Sequence, residues 1–486
     1  MSPLRPRRTE TLIIGSGPGG AVTGAVLAEA GRDVLMLEEG ADLALDAAAP
    51  FSCDEMLLKY RNAGVSVALG NSKLAWVEGR CVGGGSEINR GLYHRTPEYI
   101  LEEWTRRFQV KDLQPAVMRP HFEACETVAR VEYAHHRAPE ISRRLQSGAE
   151  VHGWHAGEAP RLYTYSPEEA LRSSAPPGGK QSMSATFVPR FRQAGGQLLS
   201  STRVRRLRRE GSFWIAETEQ RGADGGCHRS EVRADRIVVA CGAVQTPALL
   251  RRSGMTRNIG NTLRFHPMVK VVADFGEMVN RAGDYDPVHQ IREFEPQIGM
   301  GCSISTPAQL GMALAGQKDA WSLVREHWQN MGLYYVQSSG GSARVRNVRG
   351  FVDPMVRVRF EEDDLALLAV NLARLATALF AAGARRIYPC IPGYPVLESR
   401  ADIASLPARL RPADGSLTSV HVFSSCPMGE DERVCAVNSF GAMFGTEGLY
   451  INDASLLCTP TGVNPQGTVM AVARRNAIAM LERRSR

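Results

Sequence analysis

The sequence predicts a mixed α/β chain in two parts: one domain wound about a parallel sheet, and a second whose mostly antiparallel sheet is backed by helices. Three observations predict it. The run GSGPGG (15–20) stands where a short apolar strand gives way to a helix. Two further buried-type strands, near 236–240 and 449–453, lie far along the chain. Between these blocks fall two long stretches, 98–190 and 268–417, the second with alternating strands and a leucine-striped helix. Segments 1–97, 191–267 and 418–486 are therefore assigned to the first domain, and 98–190 with 268–417 to the second.

Taken in order, ETLIIGSGPGGAVTGAVLAEAGRDVLMLEEG (10–40) reads as strand, tight turn, helix and strand. Leu12, Ile13 and Ile14 form the first strand. Gly15 permits the turn, Gly17 lets a pyrophosphate approach the backbone, and Gly20 allows helix and strand to pack closely. The helix N-terminus then offers unpaired N–H groups and a positive dipole end to phosphates. Glu38 ends the second strand, about 20 residues on, where an acid accepts hydrogen bonds from ribose hydroxyls. This is a Rossmann-like dinucleotide site, and its motif alone does not choose between FAD and NAD.

GRCVGGGSEINRGLYHRTP (79–97) follows, with three consecutive glycines before Ser86 and Asn89. A loop so bare passes against a flat ring without steric cost, and Asn89 offers donors to polar edges. In ADRIVVACGAVQTPALLRRSGM (234–255), a buried strand turns at Gly242 and Ala243 into a helix. ARVRNVRGFVDPMVRVRF (343–360) alternates as a strand pair turned at Asp353-Pro354. The next helix starts with acids and places Leu365, Leu368, Leu372, Leu375 and Leu379 on one face, a core stripe. PCIPGYP (389–395) is a candidate rim of the substrate entrance. Near the end, Asn464 precedes Pro465 and a helix, which reads as an N-cap with proline at the first helical position.

With 43% hydrophobic and 22% charged residues, the composition is that of a globular protein. The net charge of +7 is carried almost wholly by scattered arginines, without an aromatic-interleaved basic run, so nucleic-acid binding is not expected. The sequence shows no run of the roughly 18–20 apolar residues a membrane span requires. Ten cysteines lie scattered with no C-x-x-C pair, and a cytoplasmic location with reduced thiols is expected. No metal-ligand spacing appears.

The blocks GSGPGG, GRCVGGGSEIN, CGAVQTPALLRRSG, HVFSSCPMG (421–429) and LYINDASLLCTPTGVNPQGTVMAVARRN (449–476) resemble, in order and spacing, the glucose–methanol–choline (GMC) oxidoreductases. The resemblance implies an FAD-binding first domain, a substrate-binding second domain, and oxidation of an alcohol to an aldehyde or ketone. It implies cofactor contacts at Pro18, Arg80, Gly83, Gly84, Ser86, Asn89, Val204, Gly242, Asp453, Pro465 and Gln466. His421 aligns with the family's general base, and Asn464 with the second active-site residue. Ile88 occupies the position at which some members carry a histidine bonded to flavin, so non-covalent FAD is expected.

Oxidising an alcohol removes a hydride from carbon and a proton from oxygen, and a neutral histidine suits the proton. Cys426 has no charged neighbour in sequence and reads as core. The electron acceptor, O2 or another, is not legible. Acids at Asp284, Asp286, Glu293 and Glu295 read first as solvated loop charge, and otherwise as suited to a cationic or sugar-like alcohol, such as an amino-sugar hydroxymethyl group. Sterol, long-chain and aryl alcohols are alternatives, as is a lyase that uses FAD structurally.

Overall fold

The structure, a computed structural model, describes residues 7–133, 138–164, 179–221, 226–282, 288–411 and 417–482. Asp284 and Asp286 lie outside these residues.

Two sheets organise the chain. The first has seven strands, with Arg7–Ile14 at its centre between the parallel neighbours Val34–Leu37 and Cys227–Val239. Gln197–Leu199 extends one edge, and Leu449–Ile451 pairs in parallel with the end of Cys227–Val239. Phe213–Arg221 and Thr202–Glu210 continue the other side antiparallel. Parallel strands covered on both faces read as continuous apolar runs, and Leu12, Ile13, Ile14 and all of Val34–Leu37 are buried.

Helix Pro18–Glu29 packs against the last helix, Gln466–Glu482. The buried Asn452 side chain joins the two: its amide donates to Thr23 Oγ1 (2.8 Å) and to the Ala473 carbonyl (3.1 Å). The first and last sequence blocks thus meet in one layer.

The second sheet has thirteen strands, mostly antiparallel. Met268–Asp274, Met331–Ser338, Ile298–Cys302, His289–Ile291 and Ala156–Glu158 run antiparallel in succession. Short strands Ser66–Gly70 and Leu74–Trp76 also join it. The strand pair read from 343–360 is Gly340–Arg346 with Met355–Arg359, Arg346 facing Met355. Its connection is wider than the turn expected at Asp353-Pro354, and Asp353 within it is held by the buried Arg61 guanidinium at 3.1 Å.

Helix Glu362–Ala381 backs this sheet, opened by a reciprocal Glu361–Asp364 capping box. It is the one helix among the described residues long and apolar enough, by length and composition, to cross a membrane. Here its five stripe leucines are all buried in the core of the second domain.

Candidate active site

One long cleft runs from the glycine turn of the first sheet to a face of the second. Gly15, Gly17, Pro18, Glu38, Gly84, Asn89, Val204, Gly242, Asp453, Pro465 and Gln466 all line it, together with His421 and Asn464. Gly20, Arg80, Gly83 and Ser86 do not. Gly20 serves packing, since a Cβ there would stand 1.9 Å from the Gly15 carbonyl oxygen. Ser86 donates to the Gly83 carbonyl at 2.7 Å and accepts from Met183 N–H at 2.9 Å, which shapes the loop from behind. Arg80 pairs with Glu39 at 3.4 Å near the surface. PCIPGYP is absent from the lining; its Ile391 and Tyr394 are buried in the core instead.

At one end the residues present fit a dinucleotide. Gly15 adopts φ +103°, with its N–H donating to Leu37 at 2.8 Å. Gly84, at φ +55°, faces Gly17 so closely that a Cβ on Gly84 would lie 2.9 Å from the Gly17 Cα. Side chains on either would fill the passage a pyrophosphate needs. Gly242, at φ +86°, opens onto empty space. Glu38 accepts from Ser16 N–H (3.0 Å), Ser16 Oγ (2.7 Å) and Gly40 N–H (2.8 Å), which holds the carboxylate at the strand end. Burial raises its pKa against the pull of those bonds. Asp453 accepts from Gly242 N–H (2.8 Å), Thr246 Oγ1 (2.5 Å) and Ser455 N–H (2.7 Å), so it organises the turn as well as lining the cleft.

The other end holds the histidines. Leu263–Phe265 pairs antiparallel with Val422–Phe423, Phe265 facing Val422, and this register carries His266 beside His421 across 155 residues of chain. Their Nδ1 atoms stand 2.9 Å apart. Asn464 presents its amide nitrogen to His421 Nε2 at 3.1 Å. That nitrogen can only donate, so Nε2 accepts and the proton of His421 sits on Nδ1, donated to His266. His266 then carries its own proton on Nε2, which is buried without a hydrogen-bond partner.

Burial lowers the His421 pKa to about 4. It lowers His266 well below the ordinary range, with the charge of His421 adding to the effect. His94 is pushed down to about 3, by burial first and then by Arg292, whose guanidinium lies 2.7 Å from its Nε2. Three neutral imidazoles therefore cluster here. The Asn464 side chain turns to His421, while the helix itself opens at Gln466 with Val469 N–H donating to the Pro465 carbonyl at 3.0 Å. Asn89 donates to Gln466 Oε1, which ties the glycine loop to that helix start.

Several residues at this end were not legible in the sequence: His266, His94, Arg292, Lys270 and Tyr335. Only tertiary structure brings them to the cleft lining or to its histidines, though a chain so poor in lysine marks Lys270 for notice. Cys426 is fully buried and burial pushes its thiol up to about 12, as suits core. Glu293 accepts from His155 N–H at 3.0 Å, and neither it nor Glu295 lines the cleft.

A glycine-walled dinucleotide cleft, roofed by a second sheet and ending at a neutral histidine, defines a nucleotide-cofactor oxidoreductase. Comparison with known proteins makes this specific. Models described as GMC oxidoreductase match residues 55–268 and 338–473, and one described as FAD binding domain matches 8–75. An uncharacterized GMC-type oxidoreductase of Sinorhizobium fredii is 35% identical, over 98% of this chain and 95% of that protein. A long-chain-alcohol oxidase of Arabidopsis thaliana is 26% identical, over 97% of this chain and 68% of its own. The crystal structure of pyridoxine 4-oxidase from Mesorbium loti shares the fold, with a TM-score of 0.72 at 18% identity, over 98% of this chain and 99% of that one. The chain belongs to the GMC oxidoreductase family, and its cofactor is FAD.

Ile88 lines the cleft and has no nucleophile to bond a flavin. Acid precipitation is expected to leave the yellow colour in the supernatant; colour retained in the washed pellet would contradict non-covalent binding.

Proposed function

We propose that the protein oxidises an alcohol to an aldehyde or ketone, with His421 as general base. The observation that carries this reading is the setting of His421: it lines the cleft, with His266 Nδ1 2.9 Å from its Nδ1 and the Asn464 amide 3.1 Å from its Nε2. Bound FAD supplies the hydride acceptor. Asn464 is suited to hold the alcohol oxygen by donating to it, and His421 to take the hydroxyl proton. His266 acts as a positioning residue, because its Nδ1 accepts the His421 proton on the far side and leaves the Nε2 lone pair, which the Asn464 amide holds, to be taken over by the substrate hydroxyl. The name of the Arabidopsis relative supports an alcohol as substrate. Ten unpaired cysteines suit a reducing compartment such as the cytoplasm.

The pH dependence tests the base. A histidine is competent only when neutral, and burial holds His421 neutral down to about pH 4. Anaerobic flavin reduction by a substrate alcohol is expected to stay level from pH 7 to near 5 and to fall below that, as His421 takes a proton. An inflection at or above the ordinary histidine value, near 6.5, would contradict the assignment. Stability carries the same sign. The unfolded chain binds more protons than the folded one between about pH 6.5 and 4, so stability is full above that window and is lost as pH falls through it.

A further inference from the structure

We propose that the substrate alcohol carries an anionic group, a carboxylate or a phosphate, which Lys270 binds at the histidine end of the cleft. The proposal rests on the alcohol-oxidation reading and adds the class of alcohol to it. Three lysines are drawn inward in this fold, and two are answered. Lys59 pairs with Glu55 at 3.1 Å, and Lys180 donates to the carbonyls of Glu87 (2.9 Å) and Asn89. Lys270 instead lines the cleft, and its ammonium donates only to a neutral hydroxyl, Ser303 Oγ, at 3.0 Å. No carboxylate among the described residues forms an ion pair with it.

Register explains how the charge is held there. Lys270 faces Tyr335 across one strand pair, Tyr335 faces Gly301 across the next, and Gly301 faces Gln290 across a third. The missing side chain of Gly301 leaves room for the Tyr335 phenol, since a Cβ there would lie 2.7 Å from its oxygen. Gln290 donates to that oxygen at 2.9 Å. The Lys270 ammonium stands 5.3 Å from the Tyr335 ring centroid, so the tyrosine props it towards the cleft.

A desolvated ammonium with no counter-charge is costly unless something supplies one. That cost shows in its pKa, held down to about 8 by burial first and then by the Arg90 guanidinium, a second cation lining the same cleft. The carboxylates that do line the cleft, Glu38, Glu39, Glu78 and Asp453, are engaged by backbone, hydroxyl, indole or arginine donors around the dinucleotide end. Among the described residues no carboxylate answers Lys270, and an incoming anion would supply that partner.

The test compares alcohols matched in shape and unmatched in charge, using the FAD-loaded protein. Para-hydroxymethylbenzoate and ω-hydroxyhexanoate are set against their primary amides, with ω-hydroxyhexyl phosphate as the phosphate arm. Wild type should favour an acid over its amide in kcat/KM by about tenfold or more, the scale of one charge-assisted hydrogen bond. Lys270→Met should abolish that preference, and Lys270→Arg should keep it. Para-methylbenzoate, which has no alcohol to oxidise, gives a second readout through the flavin absorbance change on binding. Its Kd should weaken by about tenfold in Lys270→Met.

Equal use of acids and amides by wild type, a preference surviving in Lys270→Met, or loss of FAD from that variant would each overturn the proposal. Lysine-dependent binding of para-methylbenzoate without any alcohol bleaching the flavin would instead retain the anion site and discard the alcohol reading. If para-methylbenzoate does not bind and no acid is preferred, the site is refuted.

Discussion

His421→Ala is expected to retain FAD and to slow anaerobic flavin reduction by about 10²–10⁴-fold, the usual contribution of a positioned general base. That range corresponds to roughly 3–5 kcal/mol of barrier. The effect is large because neither other imidazole among the described residues at this end replaces the base. His266 is closed off behind His421, and His94 holds the Arg292 guanidinium at 2.7 Å. Cofactor retention is expected because the phosphate and ribose contacts lie at the opposite end of the cleft, on Gly15, Gly17, Glu38 and Gly242. The measurement is stopped-flow bleaching at matched FAD occupancy, and an unchanged rate would remove His421 from the mechanism. Exogenous imidazole should restore part of the rate in the alanine variant, an outcome that simple loss of packing would not produce.

Gly20→Ala is expected to yield protein that purifies colourless and does not take up FAD. A Cβ at this position would stand 1.9 Å from the Gly15 carbonyl oxygen and 3.3 Å from the Ala240 side chain. The closer atom is backbone, and it belongs to the turn that must also hold φ +103°. Relief therefore requires the helix to move away from the strand, which takes the Gly17 N-terminal end out of line with the phosphates. Overpacking of this kind costs on the order of 1–3 kcal/mol, so a fall in Tm should accompany the loss of colour. Gly157→Ala is the control, because a Cβ there meets nothing within 4 Å and φ is not in the left-handed region. A yellow Gly20→Ala protein of wild-type Tm would show that the turn tolerates the side chain.

The dinucleotide half was legible because its information is local. Strand, turn and helix follow one another within residues 10–40, where Gly20 answers a contact inside that unit and Gly15 one against the end of the neighbouring strand. The leucine stripe of Glu362–Ala381 was legible for the same reason, since helical period alone assigns its buried face. His421 and Asn464 were legible only through the resemblance of their blocks. Nothing in either block states that the two side chains meet at 3.1 Å. The N-cap reading of Asn464 followed from a rule about helix starts, yet the side chain makes its bond across the cleft.

What the chain alone determined, then, is the cradle for an adenine dinucleotide and the kinds of layer around it, because period and spacing act over a few residues. Tertiary structure decided which imidazole backs His421, which tautomer that favours, and that Lys270 lines the cleft while Glu293 and Glu295 do not. The physical reason is strand pairing. A register between segments more than a hundred residues apart is set by the packing of whole sheets, and a slip of one residue would send each of these side chains to the opposite face.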